Sequence, residues 1–311
     1  MSKFVERNVQ KRTMVNTDID NKIIIQSWND KAFSAAGIHT DVLRLDLLHP
    51  TVSGNKWLKL NGYLQKAIKE KKAGILTKGG PWSNHVHACA YACQLLDLSC
   101  HLWIKGNEKQ PTTTIKDCMD WGAAIRFVNR SVFYDEQAAQ VFADENNLQY
   151  VPLGGSDHTG IQSVTGYIEA LALPSYTHAV CSVGTATTFA GFAFQQNNFM
   201  TVTGIESGTK DGQLVEKIAA WQTQFPHKKL ELLFQFSFGG YSKYNEELTA
   251  FMNELYLQHE FPTDIVYTAK LFHAVKQLAA QQHFAQGSRL LIIHSGGLQG
   301  NRSLPPALLQ F

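Results

Sequence analysis

Cys181-Ser182-Val183-Gly184-Thr185-Ala186-Thr187-Thr188-Phe189-Ala190-Gly191 runs from an apolar strand, through a turn of small residues, into the start of a helix. Parallel strands need a crossover between them, usually helical, so strand, glycine turn and helix in series is the unit of a parallel sheet. The turn also has chemistry. Small residues let a ligand approach the backbone, N–H groups at a helix start attract anions, and threonine hydroxyls add donors, so a phosphate suits it. The plainer local reading is a helix capped by Thr187 or Thr188. The turn lacks the Gly-Lys ending of a P-loop and the spacing of a dinucleotide fingerprint, which disfavours nucleotides.

The unit recurs. Apolar runs at 73–77, 98–104, 150–153, 176–183, 232–238 and 290–294 each lead into a glycine-rich loop, among them Lys78-Gly79-Gly80 and Ser295-Gly296-Gly297. Helix-like segments fall between them, at 61–71, 84–96, 113–121, 133–146, 160–173, 188–197, 211–224, 245–258 and 268–282. The alternation predicts an α/β fold with mainly parallel sheets, whose ligands gather at the carboxyl ends of strands.

At 311 residues the chain exceeds what one core usually holds, so two lobes are expected. Apolar content of 44% with 17% charged residues suits a well-buried globular protein. A net charge of +2 with no basic run gives no case for nucleic acid or an anionic membrane surface. Met1 to Asn21 is polar, without a signal-peptide core, and no later stretch is long enough to span a bilayer; the expected location is cytoplasmic.

Five cysteines, Cys89, Cys93, Cys100, Cys118 and Cys181, show neither disulfide nor zinc-ribbon spacing. His85, Cys89 and Cys93 share a helix face at i, i+4 and i+8, but one helix cannot surround a metal, so the cysteines read as small buried hydrophobes and no metal is expected.

Ser53-Gly54-Asn55-Lys56-Trp57-Leu58-Lys59-Leu60 places a lysine after a glycine turn at the mouth of a helix. A lysine held still and partly desolvated there is a usable nucleophile toward a carbonyl. Lys59 and Lys78 compete for that role. Lys78-Gly79-Gly80-Pro81-Trp82-Ser83-Asn84-His85 is a second strand-to-helix loop, where Ser83 or Asn84 caps the helix or grips an anion. Gly239-Gly240-Tyr241 and Val266-Tyr267-Thr268 put two tyrosines near turns, as core or as acid/base groups.

Together, and in this order, these motifs resemble the pyridoxal-phosphate enzymes that include 1-aminocyclopropane-1-carboxylate deaminase and D-cysteine desulfhydrase. The resemblance runs from about Asp41 to Gly297. It begins at Arg44-Leu45-Asp46-Leu47-Leu48-His49-Pro50 and is most specific at Gly54-Asn55-Lys56 and Ser83-Asn84. It implies a two-lobed α/β fold of the tryptophan synthase β-like type (fold type II), with a large domain of residues 1–63 and 158–311 and a small domain of 64–157. It implies pyridoxal 5'-phosphate bound to Lys56 as a Schiff base, its phosphate held by Thr185, Ala186, Thr187 and Thr188, and its phenolic oxygen by Asn84. Ser83 would contact the substrate carboxylate beside the His85 amide. Tyr241 and Tyr267 would lie over the reacting centre, and Thr268 or Ser295 near the pyridine nitrogen. A homodimer and a small amino-acid substrate are implied as well.

Leu58 stands where the family often has arginine, and Pro81-Trp82 replaces a small or aliphatic pair. Ring-opening deaminases resemble this site but carry glutamate at Thr268 and glutamine at His85. A neutral hydroxyl at Thr268 weakens the cofactor's electron sink, which suits loss of a good leaving group. The expectation is therefore α,β-elimination of the D-cysteine desulfhydrase kind, with ring opening as the alternative. Racemases and dehydratases share the scaffold. A non-catalytic binder of cofactor or amino acid is the reading from another class, against which Lys56, Ser83, Tyr241 and Tyr267 speak together.

Overall fold

The parallel strands demanded by the strand–turn–helix repeat are present in two separate sheets. The computed structural model describes residues 24–52, 54–106, 110–171, 173–195, 201–208 and 212–311. The polar stretch Met1–Asn21, Ser53 of the lysine motif, and parts of the helices expected at 160–173, 188–197 and 211–224 lie outside these residues.

In chain order, β1 (Ile25–Ser27), α1 (Lys31–Ala36) and β2 (His39–Arg44) come first. Then follow α2 (Asn55–Lys69), β3 (Gly74–Gly79), α3 (Asn84–Leu96), β4 (Ser99–Lys105), α4 (Thr113–Asp120), β5 (Ala124–Val128), α5 (Arg130–Tyr134), α6 (Glu136–Glu145) and β6 (Leu148–Val151). The last third holds α7 (His158–Ala170), β7 (His178–Val183), α8 (Thr187–Phe194), β8 (Thr201–Glu206), α9 (Gln213–Gln224) and β9 (Lys229–Leu233). It ends with α10 (Glu246–His259), α11 (Thr268–Ala280) and β10 (Arg289–His294).

Residues 47–160 make a smaller unit around a parallel four-stranded sheet ordered β5-β4-β3-β6. All six residues of β3 are buried, as expected of a parallel strand covered on both faces. Leu76, Trp103, Val128, Phe133, Leu148 and Tyr150 form its core with Ala139 and Ala143. By internal contacts this unit takes in residues 47–63, which the sequence reading gave to the larger domain, because α2 packs on β3, α3 and β6.

Residues 24–46 and 161–311 make the larger unit. Its six-stranded sheet is ordered β1-β2-β10-β7-β8-β9, parallel except where β1 pairs antiparallel with β2. Its main core joins the aromatic set Trp28, Phe33, Phe261 and Phe272 to sheet residues such as Val180 and Ile292. Because β10, β7 and β8 are parallel neighbours, the turns after His294, Val183 and Glu206 leave the sheet at one edge.

Some expectations shift. The helix expected from 61 starts at Asn55, which puts Lys56 in its first turn. The apolar run at 232–238 is strand only to Leu233. β1, β2, β5 and β8 were not expected; β8 reads Thr-Val-Thr-Gly-Ile-Glu, too polar to stand out, yet every residue is buried. No helix among the described residues is long and apolar enough to cross a membrane.

Candidate active site

In the smaller unit, Gly54 takes φ 70° and ψ −154°, a conformation only glycine adopts readily, and so turns the chain into α2. Lys56 follows, half-buried, its Nζ donating to Asn55 Oδ1 at 2.7 Å. Leu58, in the position where a charge was missed, is fully buried.

The rival lysines have other surroundings. Lys78 is completely buried and paired with Glu136 Oε1 at 2.7 Å, and its ammonium lies 5.8 Å from the centre of the Phe133 ring and 5.6 Å from that of Tyr150. Tyr150 donates its hydroxyl to the other oxygen of Glu136 at 2.5 Å, and burial with this carboxylate pushes its phenol up. Lys59 is buried, its Cβ next to Gly155.

His85 sits close to both Lys56 and Lys59. Burial first, then the charges of those two amines, lower its imidazole to about 3. The tautomer follows from its neighbour. Thr77 Oγ1 gives its proton to Val151 O at 2.9 Å, so the 2.9 Å contact between Thr77 Oγ1 and His85 Nε2 needs the proton on the ring nitrogen. Nδ1 is then a bare acceptor, buried and without a hydrogen-bond partner among the described residues. Ser83 caps α3, accepting from the N–H groups of His85 at 3.2 Å and Val86 at 3.4 Å. Its Oγ accepts in both bonds and keeps a proton to give. Asn84 is the first residue of α3 and half-buried.

In the larger unit, the turn after β7 holds the second set. Ala186 adopts a left-handed conformation, φ 61°, and no side chain caps α8. Thr185 Oγ1 and Thr187 Oγ1 lie 3.1 Å apart, and Thr187 and Thr188 are buried. The cap position falls on Ala186 rather than on Thr187 or Thr188. An uncapped helix start with two converging hydroxyls fits a phosphate. The Tyr267 ring lies against this turn, where a Cβ on Gly184 would meet its Cε1 at 3.0 Å.

Tyr267 and Tyr241 hydroxyls are 3.2 Å apart. Burial, then the Tyr241 hydroxyl, holds the Tyr267 phenol well above its ordinary value; Tyr241, whose surface is half exposed, is raised by desolvation around its hydroxyl. Tyr241 N–H donates to Gly208 O at 2.9 Å. Behind this turn lies a residue that sequence reasoning passed over. Lys270, fully buried, donates to Ser207 O at 3.1 Å, Ser237 O at 2.7 Å and Gly240 O at 2.8 Å, and burial lowers its amine to about 8. Its place three residues after Tyr267, on a buried helix face, was the only signal in the sequence.

Thr268 and Ser295 differ in what their hydroxyls do. Thr268 Oγ1 accepts from the Asp264 N–H at 2.7 Å and gives its proton to Asp264 Oδ1 at 2.7 Å. The Asp264 carboxylate also takes the N–H groups of Val266, Tyr267 and Thr268 and so caps α11; its burial still raises its carboxyl. Ser295 Oγ lies 3.4 Å from Ser182 Oγ at the carboxyl ends of β10 and β7.

The smaller unit carries a lysine at a helix mouth, and the larger unit carries a turn suited to an anion and a pair of tyrosines. The profile of the family described as pyridoxal-phosphate dependent enzyme matches residues 33–296, and the chain belongs to that family; pyridoxal 5'-phosphate is its cofactor. A Thermotoga maritima protein provisionally named 1-aminocyclopropane-1-carboxylate deaminase is 26% identical over 288 residues, 85% of this chain and 90% of the relative. A Klebsiella pneumoniae D-cysteine desulfhydrase is 26% identical over 285 residues, 82% of this chain and 86% of the relative. A solved structure of a homologue of 1-aminocyclopropane-1-carboxylate deaminase superposes with a TM-score of 0.73 over 90% of each chain at 22% identity, and the fold is the fold type II architecture.

Proposed function

We propose that this enzyme is a lyase acting on a small amino acid, most like D-cysteine desulfhydrase: D-cysteine and water yield pyruvate, ammonia and hydrogen sulfide. The observation that carries the assignment of residues is the state of the competing lysines. Lys78 is spent on Glu136 and two rings, while Lys56 stands half-buried at the α2 mouth beside a neutral histidine. Lys56 would carry the cofactor and later take the substrate's α-proton. Main-chain N–H groups and hydroxyls of Thr185, Ala186, Thr187 and Thr188 would hold the phosphate, and Asn84 the phenolic oxygen.

The bound cofactor withdraws electrons from the substrate's α-carbon and so makes its proton acidic. The remaining work falls to the chain. Ser83, with the proton it retains, would donate to the substrate carboxylate. His85 cannot serve as an acid near neutral pH; its Nδ1 lone pair would accept a hydrogen bond from the substrate's ammonium without taking the proton. Tyr241 and Tyr267, both held protonated, would donate to the departing sulfur rather than act as bases. Ser295 would serve as the hydroxyl for the pyridine nitrogen rather than Thr268, and the bond from Thr268 Oγ1 to Asp264 supports that reading. A neutral hydroxyl remains in either case, so the preference for a substrate with its own leaving group stands.

Ring opening of 1-aminocyclopropane-1-carboxylate is the second reading, supported by the name of the Thermotoga relative. A homodimer in the cytoplasm completes the proposal. The test has two stages. The purified protein with added cofactor should show a visible band that borohydride fixes to a peptide containing Lys56; label on another lysine would end the assignment. Pyruvate and sulfide should then form from D-cysteine, and 2-oxobutyrate from the cyclopropane substrate should be slower. The reverse order would establish the second reading.

A further inference from the structure

The sequence reading excluded a metal because α3 alone offers ligands from only one direction. The fold supplies a second direction. Cys100, at the second position of β4, meets Cys89 and Cys93 of α3, and the three sulfurs lie within 4.8 Å of one another. All three residues are buried, at 0%, 0% and 4% exposure. Cys118 is buried near Val86 of the same helix, its Sγ 3.9 Å from the Val86 carbonyl.

We propose that Cys89, Cys93 and Cys100 form a three-sulfur site for a soft monovalent d¹⁰ cation of the copper(I) class. Trigonal coordination at metal–sulfur distances of about 2.3 Å sets the sulfurs roughly 4 Å apart, so the observed triangle needs only small side-chain adjustment. Thiolates select copper(I) over the harder divalent ions. The ion enters already reduced, with no electron transfer, and any proton it displaces from sulfur goes to solvent.

The test uses the cofactor-loaded enzyme without oxygen and copper(I) supplied from a coloured chelator. The wild type should withdraw one equivalent per chain, and X-ray absorption of the loaded protein should show three sulfur neighbours at about 2.3 Å. Cys100→Ala and Cys89→Ala should each hold copper(I) at least tenfold more weakly, with Cys181→Ala, in the other unit, unchanged. Because a core variant can fail to fold, the wild-type absorption spectrum stands as an independent measurement. Failure of the wild type to compete with the chelator, nitrogen or oxygen in the coordination shell, or loss of the copper on Cys181→Ala would overturn the site. None of these outcomes bears on the roles assigned to Lys56 or the tyrosines.

Discussion

His85 is a histidine that the fold keeps from being charged, and this has a measurable cost. Its imidazole ordinarily titrates near 6.5 and in the folded chain near 3. Between those values the unfolded chain binds a proton that the folded one refuses, so stability rises with pH through the window and is lost as pH falls below about 6.5. The loss from this group alone is roughly 2 kcal/mol between pH 7 and 5. Urea midpoints measured at both pH values should fall further for the wild type than for His85→Gln; equal falls would refute the assignment of a neutral imidazole. Thr268 and Ser295 give a second expectation. Thr268→Val should cost about 1–2 kcal/mol of stability through the lost bond to Asp264, with the ratio of pyruvate to 2-oxobutyrate activity unchanged. Ser295→Ala should lower kcat with little loss of stability. A changed product ratio in Thr268→Val would return that residue to the cofactor.

At the scale of elements, the first turn of α11 organises the tyrosine side of the candidate site. Asp264 caps the helix, Tyr267 leaves it toward Gly184, and Lys270 one turn on reaches back to the loop that carries Tyr241. Lys270→Met removes a donor from three buried carbonyls, each costing on the order of 1 kcal/mol when orphaned, so a loss of roughly 2–4 kcal/mol is expected. The effect on kcat should exceed that on KM, because the loop positions Tyr241 rather than binding the carboxylate. Thermal unfolding and steady-state kinetics check both; an unchanged kcat would show that Tyr241 is held by other means. The motifs on these elements were legible because strand–glycine–helix punctuation is local. What was not legible is which hydroxyl is occupied: the Asp264–Thr268 bonds close a loop four residues long, and sequence names both partners without saying whether they meet. Lys270 was hidden for the opposite reason, since two of its acceptors lie in residues more than thirty positions away.

Over the whole molecule, the α/β class and parallel sheets followed from alternation alone, whereas β8 and the extent of the smaller unit did not. Strand β8 is covered by neighbours on both sides, so threonines and a glycine suffice to make it. The association of residues 47–63 with the smaller unit depends on packing of α2, which periodicity does not report. Cys100 belongs to the same class of hidden partner, reaching α3 only because β4 lies beside β3. The proposed homodimer has its own check: light scattering should give about twice 34.7 kDa, and the mass of one chain would exclude it.

The ammonium of Lys270 is surrounded by main-chain oxygens in the way that a potassium ion stripped of its water would be. A tethered cation does not dissociate, compete or require replenishment. The tyrosine loop should therefore be indifferent to whether sodium or potassium fills the buffer, and kcat should stay the same when one replaces the other at constant ionic strength. In Lys270→Gly the tether is gone but the oxygens remain, and added ammonium or potassium should restore part of the lost rate.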